Sequence, residues 1–231
     1  MKRRTVLGTL VALAARAAWP GIATAADPAE FSAAERRLFV DDHLAALSRA
    51  ATLEYAFSHR GSLEKPFDDT VTIRVGPPGG AAGRPVKGTF LSDTRRLELP
   101  ELEHATGNPV ILFFLEREVR EMHRLTGGSE GYYRKRIRMA LAQGADIRDV
   151  EAPVGARRVR ATEIRFAPYR DDPARSRYER FAETTYVFTL SNDVPGAVVE
   201  MRSELRAPAD AAKTPQQPLL VAEVLRYSRI R

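Results

Sequence analysis

The chain has 231 residues, 44% of them apolar and 29% charged, with 15 Gly, 15 Pro, no Cys and a formal net charge of +6. This is a globular composition, neither disordered nor collagen-like. The lack of cysteine excludes disulfides, thiolate metal sites, iron–sulfur clusters and a thiol nucleophile.

The N-terminus reads as an export signal. Lys2, Arg3 and Arg4 precede a segment, Thr5 to Ala18, that is apolar apart from Arg16; Pro20 and Gly21 break any helix, and Ala23-Thr24-Ala25 fits the small-x-small cleavage rule. Residues 1–25 are therefore expected to be a signal peptide, and 26–231 a single periplasmic domain. Lys2-Arg3-Arg4-Thr5-Val6-Leu7 also fits a twin-arginine motif, so both the general secretory and the twin-arginine routes stay open. No cysteine follows the cleavage site, which argues against a lipid anchor. The signal holds four of the 36 basic residues and no acidic one, leaving 32 basic against 30 acidic residues and a net charge of +2. A nucleic-acid partner thereby loses its main support. Beyond the signal no apolar run is long enough to span a membrane.

Phe31 to Ala50 reads as a helix, with Ser32 and Glu35 spaced as a capping box and Leu38, Val40, Leu44 and Leu47 as its stripe. Strands follow, with Leu53, Tyr55 and Phe57, then Val71, Ile73 and Val75, then Val86 and Phe90 as the apolar positions of period-two patterns. Asn108-Pro109 is a strong helix start. Val110 to Leu125 follows, stopped by Gly127-Gly128, and a second helix is expected over Glu130 to Gln143 with Tyr133, Ile137 and Leu141 inward. In the next strand the apolar phase flips from Val159 and Ala161 to Ile164 and Phe166, which predicts a bulge or bend near Thr162–Glu163. Tyr186, Phe188 and Leu190, then Val199, Met201 and Leu205, then Leu219 to Ile230 complete the strands. Gly76 to Gly83 and Ala207 to Pro218 read as loops. The order predicts an α+β fold, an antiparallel meander with its helices collected on one face.

Several motifs invite chemistry and find a plainer explanation. Gly127-Gly128-Ser129-Glu130-Gly131 matches a nucleophile elbow, but the serine follows a helix and all four histidines precede it. Ser62-Leu63-Glu64-Lys65 matches S-x-x-K, yet Gly61 and Pro66 enclose it in a loop. No two histidines have metal-ligand spacing. Asp41-Asp42-His43 reads as a solvated helix face, and Asp68-Asp69 and Asp171-Asp172 as turns. No catalytic residue, metal or cofactor is expected.

Two constellations point to a ligand. Val110 to Leu115 is six consecutive apolar residues, more than one helical stripe needs; such a helix is buried all round or covers a hollow. Phe113, Phe114 and Met122 on this helix, with Phe57, Ile73, Phe90, Phe188 and Met201 on strands, are the candidate lining of an apolar cavity. Arg117, Arg120 and Arg124, with Arg134 and Arg136 on the next helix, are candidate contacts for an anionic headgroup or a protein partner. Glu116, Glu118 and Glu121 are interleaved at pairing distance, so a salt-bridged solvent face explains the same residues.

An exported, cysteine-free chain with one helix, then a meander interrupted by two helices, resembles the periplasmic outer-membrane lipoprotein carriers and their wider superfamily of lipid-binding half-barrels. The resemblance covers element order across nearly the whole mature chain and carries no diagnostic motif. It implies a curved antiparallel sheet, an incomplete barrel, with the helices as a lid over an apolar cavity. The expected function is a non-enzymatic carrier or chaperone for a lipid or acylated protein. The alternative is an accessory protein docking to an envelope complex through its arginine-rich helices. A hydrolase using an unrecognised carboxylate or serine is the third reading.

Overall fold

The computed structural model describes residues 31–79, 83–97, 100–208 and 218–231. The expected signal peptide and the middle of both predicted loops lie outside the described residues. Ser32 opens the first helix: its Oγ accepts from the Glu35 amide at 3.1 Å, and Glu35 Oε2 accepts from the Ser32 amide at 2.9 Å. Helix α1 (Ala33–Glu35) then runs directly into a π-helical turn over Arg36–Val40. The expected continuation to Ala50 does not form. Asp41 is extended, with ψ 141, and Asp42 Oδ1 accepts from the Leu44 amide at 3.0 Å. Short acidic side chains that bond nearby amides compete with helix, and here they win.

Nine strands follow: β1 (Ala51–Arg60), β2 (Phe67–Val75), β3 (Arg84–Phe90), β4 (Leu102–Ala105), β5 (Asp146–Val154), β6 (Arg157–Phe166), β7 (Thr185–Leu190), β8 (Val198–Arg206) and β9 (Leu219–Ile230). They form one antiparallel sheet in the order β4-β3-β2-β1-β9-β8-β7-β6-β5. The first and last strands pair at its middle, and β4 and β5 each have one neighbour, so the sheet is open. Between β4 and β5 the chain forms α2 (Val110–Thr126) and α3 (Glu130–Gly144). No described helix is long and apolar enough to cross a membrane.

Helix α2 forces the sheet to curve. Phe113 lies against Gly88 of β3, Phe114 packs edge-on to Phe188 of β7 at 5.8 Å, Glu118 meets Ser203 of β8 and Arg117 meets Glu223 of β9. From β3 to β7 is five inter-strand steps, about 24 Å across a flat sheet. A helix only ~10–12 Å wide reaches both ends only if the sheet wraps round it. The fold is therefore α+β, a curved, unclosed antiparallel sheet with helices on its concave face.

Asn108 fixes the start of α2. Its Oδ1 accepts from the Val110 amide at 3.2 Å, its Nδ2 donates to Tyr55 Oη and to the Gly196 carbonyl, each at 2.8 Å, and its own amide donates to His43 Nδ1 at 3.1 Å. Gly127, at φ +72, ends the helix in the left-handed region that glycine tolerates. In α3, Tyr133, Ile137 and Leu141 are buried as their spacing requires.

The predicted bulge in β6 is absent. β6 pairs in unbroken register with β5 and with β7 through Thr162 and Glu163. The phase flips because both faces of β6 are covered. Val159 and Ala161 join Ala152, Val194 and Val199 in a second, smaller apolar cluster, whereas Ile164 and Phe166 join the main core. Strands β4 and β5 carry no clear period-two signal; β5 has Asp146, Arg148, Asp149 and Glu151 along a sheet edge.

Candidate functional site

The eight predicted lining residues do converge, but on one another. Phe57, Ile73, Phe90, Phe113, Phe114, Met122, Phe188 and Met201 all belong to the buried core between α2 and the sheet. Phe57 and Phe90 meet at 6.0 Å, and Phe188 receives both Phe114 and Phe166 at 5.8 and 5.7 Å. These contacts fill the concave face. The void beside Met122, lined also by His59, Glu118, Ser203 and Glu223, has a volume of about 30 Å³, room for water and not for an acyl chain.

Open apolar space lies instead on the outer side of α2. A groove of about 480 Å³ runs between α2, α3 and β4. Phe39, Leu102, Leu112, Phe113, Val119 and Ile137 line it, with Glu116, Arg134 and Arg138 at its polar edge. Leu112 is 53% exposed and Phe39 37% exposed there. Of the eight predicted lining residues, Phe113 alone reaches this groove.

The predicted contact arginines divide by environment. Arg117 is buried and donates to Glu223 through Nε at 2.8 Å and Nη2 at 2.5 Å. Arg136 is held against Asp172 Oδ2 at 2.9 Å and the Pro168 carbonyl at 3.2 Å. Both are structural. Arg120 pairs with Glu116 at 3.3 Å, and Arg124 pairs with Glu121 at 2.8 Å and with Glu64. Arg134 bonds Glu116 and Glu130, each at 2.7 Å. The interleaved glutamates thus neutralise much of the arginine cluster. Arg138, part of the same basic cluster in the sequence but not among its five candidate contacts, is exposed at the groove and makes no ion pair among the described residues.

The tempting motifs resolve into local structure. Ser129 begins α3, and the nearby His123 ring is bonded to the Gly128 carbonyl at 2.7 Å. Ser62 to Lys65 is not helical. Both nitrogens of His43 face backbone groups, Nε2 the Arg37 carbonyl at 2.7 Å and Nδ1 the Asn108 amide. Asp172 accepts from Tyr132 Oη at 2.6 Å and from the Ala174 amide at 2.7 Å. Among the described residues no group of three or more His, Asp or Glu could hold a metal ion.

Sequence reading also missed a buried polar node behind α2. Glu223 Oε1 lies 3.1 Å from His59 Nδ1 besides its two bonds to Arg117, and Glu118 Oε1 accepts from Ser203 Oγ at 2.8 Å. Glu118 is 5% and Glu223 2% exposed. Burial first, then the negative charge of Glu223, pushes the Glu118 carboxyl well above the usual carboxylate range. Burial works against ionisation of Glu223 as well, but His59 and Arg117 outweigh it and hold that carboxyl low. A signal existed. His59 is in phase with Tyr55 and Phe57, Ser203 with Met201 and Leu205, Glu223 with Val221 and Leu225, and Glu118 with Ile111 and Met122.

These elements define the class: an α+β protein with an open nine-stranded antiparallel sheet, its concave face sealed by α2, and an external apolar groove. No family model and no curated protein matches the chain. It is similar to the crystal structure of a LolA superfamily protein from Nitrosomonas europaea, at 8% identity and a TM-score of 0.23, over 86% of this chain and 92% of that one. The fold class rests on the strand order and the packing of α2.

Proposed function

We propose that the chain is a non-enzymatic carrier or chaperone for an acylated or lipid ligand, working in the periplasm after removal of its signal. The ligand's acyl chain occupies the groove between α2, α3 and β4, and its anionic headgroup meets Arg138. The observation that carries this reading is the groove itself: about 480 Å³, floored by apolar side chains, with Leu112 left 53% exposed. Each methylene withdrawn from water contributes about 0.8 kcal/mol, so part of one long chain suffices for useful affinity. The unpaired Arg138 supplies charge complementarity at the edge. Docking to an envelope complex through the arginine-rich helices draws less support, since Glu116, Glu121 and Glu130 already engage Arg120, Arg124 and Arg134.

The test is equilibrium binding of a fluorescent fatty acid to the mature protein. Leu112→Asp places a charge on the exposed floor without touching the core. It is expected to reduce probe affinity at least tenfold and to leave the melting temperature within about 2 °C, as surface changes do. Saturable binding that L112D leaves intact would remove the groove from the reading, and no saturable binding would remove the carrier.

A further inference from the structure

The polar node behind α2 is not explained by any ligand reading. Two carboxyl groups converge here: Glu118 of α2 accepts from Ser203 of β8 at 2.8 Å, the register partner of Ser203 on β9 is Glu223, and Glu118 and Glu223 line the same small void. A single buried guanidinium, Arg117, faces them and bonds Glu223 twice. Arg117 is shared further with Glu121 at 3.3 Å. Glu118 receives only the Ser203 hydroxyl and has no cation within ion-pair distance among the described residues.

The other groups facing the pair do not correct this imbalance. From β1, His59 reaches Glu223, while its Nε2 has no hydrogen bond and only Glu64 at 3.4 Å. Glu64 is itself paired with Arg124. From β7 and the segment before it come the buried phenols of Tyr186 and Tyr169, whose hydroxyls make no hydrogen bond among the described residues. From β8 comes Ser203. A buried carboxylate with no cation is far costlier than its neutral acid, so such a group keeps its proton. Two adjacent carboxyls facing one guanidinium, with His59 engaged by Glu223 and Glu64 alike, then settle with one proton between them.

We propose that Glu118 and Glu223 form a buried proton-binding site that fastens α2 to β8 and β9, so that the grip of the helix on the sheet follows pH. With the proton present, Glu118 bridges Ser203 and Glu223, and Glu223 remains the counter-ion of Arg117. Loss of the proton leaves two buried carboxylates against one guanidinium beside a void with room for little more than water, and α2 loosens. The unfolded chain binds this proton only in the ordinary glutamate range, whereas the folded chain holds it to higher pH. Stability from Glu118 is therefore full below that range and is lost as pH rises through the folded value. Glu223 acts oppositely, and its contribution is lost as pH falls through its own lowered value. This inference does not depend on what fills the external groove.

Urea unfolding of the mature protein from pH 5 to 9 tests it. Above the ordinary glutamate range the unfolding constant is expected to rise about tenfold per pH unit, the signature of one proton held by the folded state alone. Glu118→Gln mimics the protonated acid and is expected to fold at neutral pH and flatten this slope. Hydrogen exchange of the α2 amides, corrected for intrinsic rates, should accelerate with pH in the parent protein and not in E118Q. Should E118Q fail to fold, carboxyl carbon chemical shifts of the parent protein decide the matter. A Glu118 carboxyl titrating in the ordinary range overturns the proposal, as does a slope that E118Q leaves unchanged.

Discussion

Gly88 sits inside β3, where glycine has no conformational role to play. A Cβ built there falls under 3.0 Å from Phe113 Cε2, 3.1 Å from Cδ2 and 3.3 Å from Cζ. Phe113 is buried and cannot retreat without shifting α2 or entering the external groove. Overpacking of this kind costs about 1–3 kcal/mol. Removing a strand glycine returns about 0.5–1 kcal/mol through the unfolded chain and the strand itself. Gly88→Ala is thus expected to destabilise by about 0.5–2 kcal/mol, or roughly 1–8 °C in melting temperature for a chain of this size. Phe113→Leu trims the ring and makes its own smaller defect. A double-mutant cycle by urea unfolding should then show favourable coupling above about 0.5 kcal/mol, since G88A in the F113L background meets no ring. If G88A is neutral or stabilising and the cycle closes to zero, the close approach of β3 and α2 is wrong. Either response, a shifted α2 or a ring pushed into the groove, alters the groove that Phe113 lines, so G88A should weaken fatty-acid binding there.

Other perturbations bear on separate parts of the structure. Asn108→Ala removes a helix start and leaves the buried Tyr55 hydroxyl without its donor, an expected loss of about 2–4 kcal/mol by urea unfolding. Arg117→Met leaves Glu223 buried with only His59 as partner and is expected to cost about 3–5 kcal/mol; E223Q added to it should recover part of that loss. Burial opposes ionisation of Asp172, yet Tyr132, Tyr178, the Ala174 amide and Arg136 together hold its carboxyl below the usual aspartate range. Its contribution is present above that range and is lost as pH falls through the folded value, so D172N should flatten the acid limb of a stability profile.

The legible parts of this chain are those where one physical signal acted alone. Ser32 and Glu35 formed their capping box, and Asn108 and Gly127 set the ends of α2, because local hydrogen bonds decide helix termini. Strands β1 and β2 followed period two because their inner faces meet one continuous core. Where two effects competed, the sequence misled. Leu44 and Leu47 have helical spacing and are buried, but Asp41 and Asp42 end the helix before them. The phase of β6 changed not through a bulge but because a second apolar cluster covers its other face. The polar node was missed for a related reason: a Glu or His in apolar phase reads as an interruption until its partner on another strand is known.

The over-apolar start of α2 left two solutions open, a helix buried all round or one covering a hollow, and the structure divides them between its faces. The inner face, through Ile111, Phe114 and Met122, is sealed against the sheet. The outer face leaves Leu112 exposed in the groove. A ligand there needs no opening of the core, so its binding should be fast and readily reversible, and its retention through purification poor. Equilibrium titration is then the appropriate assay, and absence of co-purified lipid does not by itself count against a carrier. An interior site makes the opposite demand, since an acyl chain could enter only by parting Phe114 from Phe188 and Glu118 from Ser203. Hydrogen exchange separates the two: saturating fatty acid should leave the α2 amides near Glu118 as protected as before. Increased exchange there on ligand addition would mean that the core opens, and would return the ligand to the concave face.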